Sequence, residues 1–230
     1  MVRRGVILFV LLAFAAIFVE LTGHYGERQD LRPLAGRYVA EVPEALGAPN
    51  VITGILITFR GFDTLGEVAV LFMVAASLGL LLGGDEGQGR SASEGEHKPP
   101  SELVRNGADV IMPMIFLFGA YVIMNGHISA GGGFQGGAVV ASGVMLLMIA
   151  FPRVLISQPL LSLIESVDGV LYVCVGMLGL VLAGGFLDTR FLPPGKFGAV
   201  FSAGAIPLVS ILLGIKVGAE LSVIISRFRA

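Results

Sequence analysis

The residues able to do chemistry are few, and they interrupt apolar sequence at telling intervals. In Thr58-Phe59-Arg60-Gly61-Phe62-Asp63-Thr64-Leu65-Gly66-Glu67, two carboxylates stand four residues apart. If the span that follows has begun by Asp63, then Asp63 and Glu67 share one helix face. Neighbouring carboxylates resist double ionisation, so such a pair holds a proton or a cation such as Na+. A second reading is local: Arg60 neutralises Asp63, and the trio only anchors a helix end at the interface. Lys216 and Glu220 repeat the spacing deep in the last apolar stretch. They form either an internal ion pair that lets two charges lie in one helix, or a step in a proton relay. Glu165 and Asp168 read as interfacial groups at the mouth of the preceding span.

The most unusual string is Asn125-Gly126-His127-Ile128-Ser129-Ala130-Gly131-Gly132-Gly133-Phe134-Gln135-Gly136-Gly137. Gly131, Gly133 and Gly136 satisfy G-x-G-x-x-G. That pattern binds dinucleotides only after a strand and with an acid about 20 residues on. Here a membrane helix precedes it, and Arg153-Val154-Leu155-Ile156 offers no acid. Nucleotide binding is excluded. The glycines fit a broken helix or a closely packed loop, which at membrane depth survives only inside protein or beside a wet cavity. His127 and Gln135 would then line that cavity. An ordinary exposed loop with His127 in solvent is the other reading.

The elements that must position these residues are membrane helices. Of 230 residues, 55% are hydrophobic and only 14% are charged, against ~25% charged in soluble domains. A net charge of −2 leaves no basic footprint for nucleic acid. One cysteine, Cys174, excludes an intrachain disulfide framework and a cysteine-ligated cluster. No cofactor is implied. The expected fold is an all-α integral membrane protein with about six transmembrane helices, in two segments joined by a polar linker. The spans are Gly5–Leu21, Leu65–Leu82, Val104–Met124, Ala138–Phe151, Val167–Leu187 and Phe197–Ile225. The first reads as an uncleaved span rather than a signal peptide, because Glu20 interrupts it and no small-x-small site follows. Val51–Phe59 is apolar but too short to cross; whether it spans with help, dips or lies flat stays open. Residues 84–102, rich in Gly and Ser and closing on Pro99-Pro100, form the linker between segments 1–83 and 103–230. With both termini cytoplasmic, Arg3, Arg4, Arg90, Lys98, Arg105, Arg153, Arg227 and Arg229 fall inside. Arg28, Arg32, Arg37, Arg190 and Lys196 fall outside.

Gly126-His127-x-Ser129-x-Gly131-Gly132-Gly133-Phe134-Gln135-Gly136-Gly137 resembles the signature of the MnhB/MrpB subunit of multisubunit Na+/H+ antiporters. Ala130 departs from it, standing where that family usually has proline. Asn50-Val51-Ile52 and Phe59 to Glu67 look like the C-terminal region of the large MrpA subunit. They are equally similar to the small separate subunit that represents this region in membrane-bound hydrogenases and their sulfur-reducing relatives. The chain thus resembles a fusion of two neighbouring subunits. The resemblance implies a cell-membrane subunit with no catalysis of its own, in a complex with other Mrp-type or hydrogenase-type subunits that handles Na+ and H+ across the bilayer; a purely structural membrane subunit is the other reading. The resemblance also implies an ion pathway through Asp63, Glu67 and His127, with Na+ near Asp63 and Glu67; Lys216 and Glu220 join that pathway on their own spacing. Arg60, Phe62, Thr64, Ser129, Gly131, Gly132, Gly133, Phe134, Gln135 and Gly136 would shape or line that path.

Overall fold

In lipid, a long apolar run satisfies its backbone polar groups only as a helix, and the long runs of this chain are helical. The computed structural model describes residues 2–26, 30–83, 100–152, 154 and 157–229. Six helices among them are long and apolar enough to cross a membrane. These are α1 (Val2–Gly23), α4 (Gly61–Gly83), α5 (Glu102–Met124), α6 (Gly133–Ala150), α7 (Gln158–Ala183) and α8 (Ile206–Arg229). Short helices α2 (Pro33–Glu41) and α3 (Val51–Gly54) lie between α1 and α4. Extended pairing among the described residues is limited to an isolated bridge between Gly195 and Ser202. Most of the polar segment, residues 84–99, lies outside the described residues, as do Arg28 and Arg153.

Residues 1–37 and 38–230 form two compact units. The first carries α1, which is apolar and exposed from Arg4 to Gly23. The second is organised around α8, whose spanning stretch is 67% buried, against 39% or less for the other spans. α4, α6 and α7 pack on α8, and α5 packs on α6.

Small residues set how closely α6 and α8 approach. Gly133 and Gly137 face Ser210, Gly214 and Gly218, each set spaced by four residues. A Cβ on Gly137 would lie 2.7 Å from the Gly214 carbonyl oxygen and 2.9 Å from Val217 Cβ. The Gly133 N–H donates to Ser210 Oγ at 3.1 Å. Gly136 points the other way, where a Cβ would meet the Gly119 carbonyl of α5 at 2.8 Å. The expected start of this span at Ala138 is therefore corrected to Gly133. Each glycine costs a helix about 1 kcal/mol relative to alanine, and close packing on two neighbours offsets that cost. Gly131 and Gly132, with φ of 155° and 148°, turn the chain into α6.

Two further starts differ from expectation. α7 begins at Gln158, nine residues before Val167, with proline in its first turn, where the missing N–H leaves no helical bond unmade. α8 begins at Ile206, not Phe197, because positive-φ glycines at 195, 198 and 204 keep the preceding segment in turns. That segment, 184–205, folds over the head of α4. Leu187 is buried against Gly61, and Thr58 Oγ1 lies 2.7 Å from Thr189 Oγ1. Val42, Leu46, Ile57, Val68, Tyr172, Leu187 and Val209 share one core, so residues from either side of the polar segment pack together.

Val51–Phe59 is helical. α3 runs into one wide π-type turn at Ile55–Phe59 and then, through Arg60, into α4. The Thr64 hydroxyl donates to the Leu56 carbonyl at 2.7 Å, satisfying an acceptor beside that irregular turn. Between Leu46 and Val51 the chain bends sharply, making this stretch a broken span or a re-entrant loop.

The α6–α8 seam gives a direct test. Gly137→Ala is expected to destabilise the protein by about 1–3 kcal/mol through overpacking. Gly66→Ala, where a Cβ meets open space, is expected to leave stability unchanged or raise it by up to about 1 kcal/mol. Thermal unfolding of the purified complex measures both.

Candidate functional site

Once α7 begins at Gln158, Glu165, Asp168 and Tyr172 fall at intervals of three and four and share a helix face. That face meets α8 at the level of Lys216 and Glu220. Lys216 Nζ lies 2.8 Å from Glu220 Oε1 on its own helix and 3.8 Å from Glu165 Oε1 on α7. Asp168 is close enough for its charge to act on Lys216 and Glu220. From α4, the Phe72 ring centroid lies 5.8 Å from the ammonium, a cation–π distance. All four ionisable side chains are buried, and Glu220 is fully so. Asp168 Oδ2, Glu220 Oε2 and the Tyr172 hydroxyl have no hydrogen-bond partner among the described residues.

Glu165 and Asp168 are therefore not interfacial groups at a helix mouth. They stand inside a span and complete the Lys216–Glu220 pair expected from sequence. The available signal was their shared face, together with the unmet need of a buried lysine for more than one counter-charge. Carboxylates from two helices around one buried ammonium make a site able to exchange protons.

Asp63 and Glu67 do lie on one helix, because α4 already begins at Gly61. The Asp63 carboxylate is bound by the Arg60 guanidinium, and both groups are about half exposed, at 48% and 57%. Glu67 is exposed and close enough to act electrostatically on the Tyr172 hydroxyl of α7. Phe62 is exposed and packs on Phe186, with ring centroids 5.1 Å apart. Thr64 is buried. Among the described residues, no group of three or more His, Cys, Asp or Glu side chains is arranged to hold a metal ion.

His127 is fully buried, with Nε2 3.3 Å from the Ala199 carbonyl and Nδ1 without a partner among the described residues. Its segment is clamped from α3. The Asn50 N–H donates to the His127 carbonyl at 3.0 Å, and the Asn50 amide nitrogen donates to the Gly126 and Ser129 carbonyls, each at 2.7 Å. The Thr53 hydroxyl donates to the Gly126 carbonyl at 2.8 Å. Asn50 and Thr53 are functional-segment residues whose partners, more than 70 residues away, gave no local signal. Ser129, Phe134 and Gln135 are exposed. Among the described residues, no hydrogen bond or ion pair joins His127 to the Lys216 cluster.

In the loop between α7 and α8, Asp188 accepts hydrogen bonds from the Arg190 backbone N–H at 3.0 Å and from Arg190 Nε at 2.8 Å. The guanidinium holds the Asp188 carboxyl below its usual value of 3.8.

The sequence pattern of the family described as a domain related to the MnhB subunit of Na+/H+ antiporters matches residues 103–223. The chain belongs to that family. A second pattern, that of the MbhE subunit of membrane-bound hydrogenase (MBH), matches residues 5–85. An uncharacterised protein of Methanocaldococcus jannaschii is 30% identical over 201 residues, covering 76% of this chain and 74% of its own length. A probable K+/H+ antiporter A/B subunit of Rhizobium meliloti is 33% identical, over 44% of this chain and 12% of that protein. The Na+/H+ antiporter B subunit of Bacillus subtilis is 30% identical, over 38% of this chain and 56% of its length. A chain of the membrane-bound sulfane sulfur reductase, an archaeal respiratory membrane complex, superposes with a TM-score of 0.82 at 31% identity, covering 99% of this chain and 98% of that one. A chain of the Mrp complex from a Dietzia species shares the fold, with a TM-score of 0.72 at 21% identity, over 95% of this chain and 25% of that chain.

Two outcomes follow from the charges. Lys216→Met leaves buried carboxylates without their counter-ion and is expected to destabilise the complex by about 3–5 kcal/mol, while Lys216→Met with Glu220→Gln recovers most of that loss. Thermal unfolding of both variants measures this. For Asp188, the folded pKa is lowered, so its contribution is present above pH 3.8 and is lost as pH falls through the lower folded value. Asp188→Asn is accordingly expected to be less stable than the native protein at pH 7, with the difference vanishing in strong acid. Thermal unfolding across a pH series checks it.

Proposed function

We propose that this chain is a multi-pass cell-membrane subunit of a cation–proton antiport module within a larger complex, contributing both to the ion pathway and to assembly. The observation that carries the reading is the buried Glu165–Asp168–Lys216–Glu220 group inside spanning helices. Charges there are costly and mark ion routes. Lys216 and Glu220 take and release protons within that group. Asp63 and Glu67 serve the exposed side of α4, and His127 serves the buried turn held by Asn50. Ser129, Phe134 and Gln135, exposed on the same segment, face neighbouring subunits. MnhB family membership and the relatives described as antiporter subunits support this reading.

The full-length likeness to a chain of the sulfane sulfur reductase favours a second setting, in which the same module sits in a redox-driven complex. Redox chemistry then belongs to partner subunits, since this chain has one cysteine. In either setting the chain itself performs no catalysis. We further read residues 1–83 and 103–230 as two fused subunit-like segments joined at 84–102, which the two matched stretches support. Both termini face the cytoplasm, in keeping with the Arg and Lys distribution.

The test is ion flux in proteoliposomes holding the assembled complex. Glu220→Gln is expected to lower cation-driven proton flux by at least about tenfold, with assembly intact. Native flux per assembled complex would overturn the pathway role, and loss of assembly alone would assign the chain a structural role.

A further inference from the structure

Tyr172 stands where two sets of ionisable groups approach each other. It is 3% exposed and shares its core with Val68 of α4, Val175 of α7 and Leu212 and Leu213 of α8. Its hydroxyl has no hydrogen-bond partner among the described residues. An unpaired buried hydroxyl is costly, so phenylalanine would serve a purely apolar contact better. On one side, Glu67 of α4 adjoins Val68, which shares the Tyr172 core. On the other, Asp168 lies one turn along the same face of α7, with Oδ2 unpaired, and Glu220 Oε2 is unpaired beyond it. Unpaired polar oxygens within one α4–α7–α8 contact region are what bridging water satisfies.

We propose that the Tyr172 hydroxyl, through bridging water, is the link by which protons pass between Glu67 at the exposed edge of α4 and the buried Asp168–Lys216–Glu220–Glu165 cluster. The inference rests on reading that cluster as a proton-carrying site. In the step, a proton leaves the Glu67 carboxyl and reaches the Tyr172 oxygen through water. The hydroxyl's own proton moves through water to the Asp168 carboxylate. Glu67 ends ionised, Asp168 ends protonated, and the phenol is neutral before and after. Rotation about the C–O bond resets the link. Arg60 leaves Glu67 free for this role by engaging Asp63, its neighbour on the helix face.

Proton flux is measured in proteoliposomes with the assembled complex carrying Tyr172→Phe, Glu67→Gln or Glu220→Gln. Tyr172→Phe keeps the ring and its packing, so native stability and assembly are expected, with proton flux lowered at least about tenfold. Glu67→Gln, at an exposed position, is expected to show the same loss, and Tyr172→His, which again carries a relaying group, is expected to restore part of the flux. Native flux in either Tyr172→Phe or Glu67→Gln overturns the link. If Glu220→Gln alone abolishes flux, the antiport reading stands without this link; native flux in all three removes both. Should Tyr172→Phe fail to assemble, Glu67→Gln decides the matter.

Discussion

Lys216 and Glu220 must be kept away from lipid, and much of the fold answers to that requirement. A charged side chain at the centre of a spanning helix costs at least ~2.5–3.5 kcal/mol on insertion scales. The helix that carries both is accordingly the most enclosed of the spans. The small residues of α6 let that helix come close enough to seal one side. α7 seals another and supplies two more carboxylates. α4 covers the ammonium with the Phe72 ring.

The same logic explains the glycine-rich signature. Its residues divide the work: Gly131 and Gly132 turn the chain, Gly133 and Gly137 meet α8, and Gly136 meets α5. The turn is held from outside by Asn50 and Thr53, which cap carbonyl groups that no helix uses. Those capping residues lie in the MBH-related stretch, whereas the turn lies in the MnhB-related one. The two matched stretches interlock through backbone acceptors as well as through the shared core around Leu187 and Val209.

The spans were legible in the sequence because lipid imposes a length and a composition. The i, i+4 pairing of Lys216 with Glu220 was legible too, since it is a property of one helix. Helix starts were harder to read. Glycine at Gly133 argues locally against helix, and only contact with Ser210 and Gly214 reverses the balance. Phe197 to Ala205 looks like span sequence by hydropathy, but positive-φ glycines hold it in turns. Misplacing the start of α7 made Glu165 and Asp168 look interfacial, when one helix register brings them onto Lys216. The Asn50 clamp and the neighbourhood of Tyr172 depend on tertiary contact between distant segments, which periodicity does not encode.

In the proposed antiport, the buried carboxylates beside Lys216 change protonation as ions move. Infrared difference spectroscopy of the assembled complex, driven through a proton-gradient jump in H2O and in D2O, reads this directly. A protonated-carboxyl band is expected that appears or decays with the jump, shifts in D2O and is lost in Glu220→Gln. A difference spectrum without any such band in the native complex, under conditions where ion flux proceeds, would contradict it.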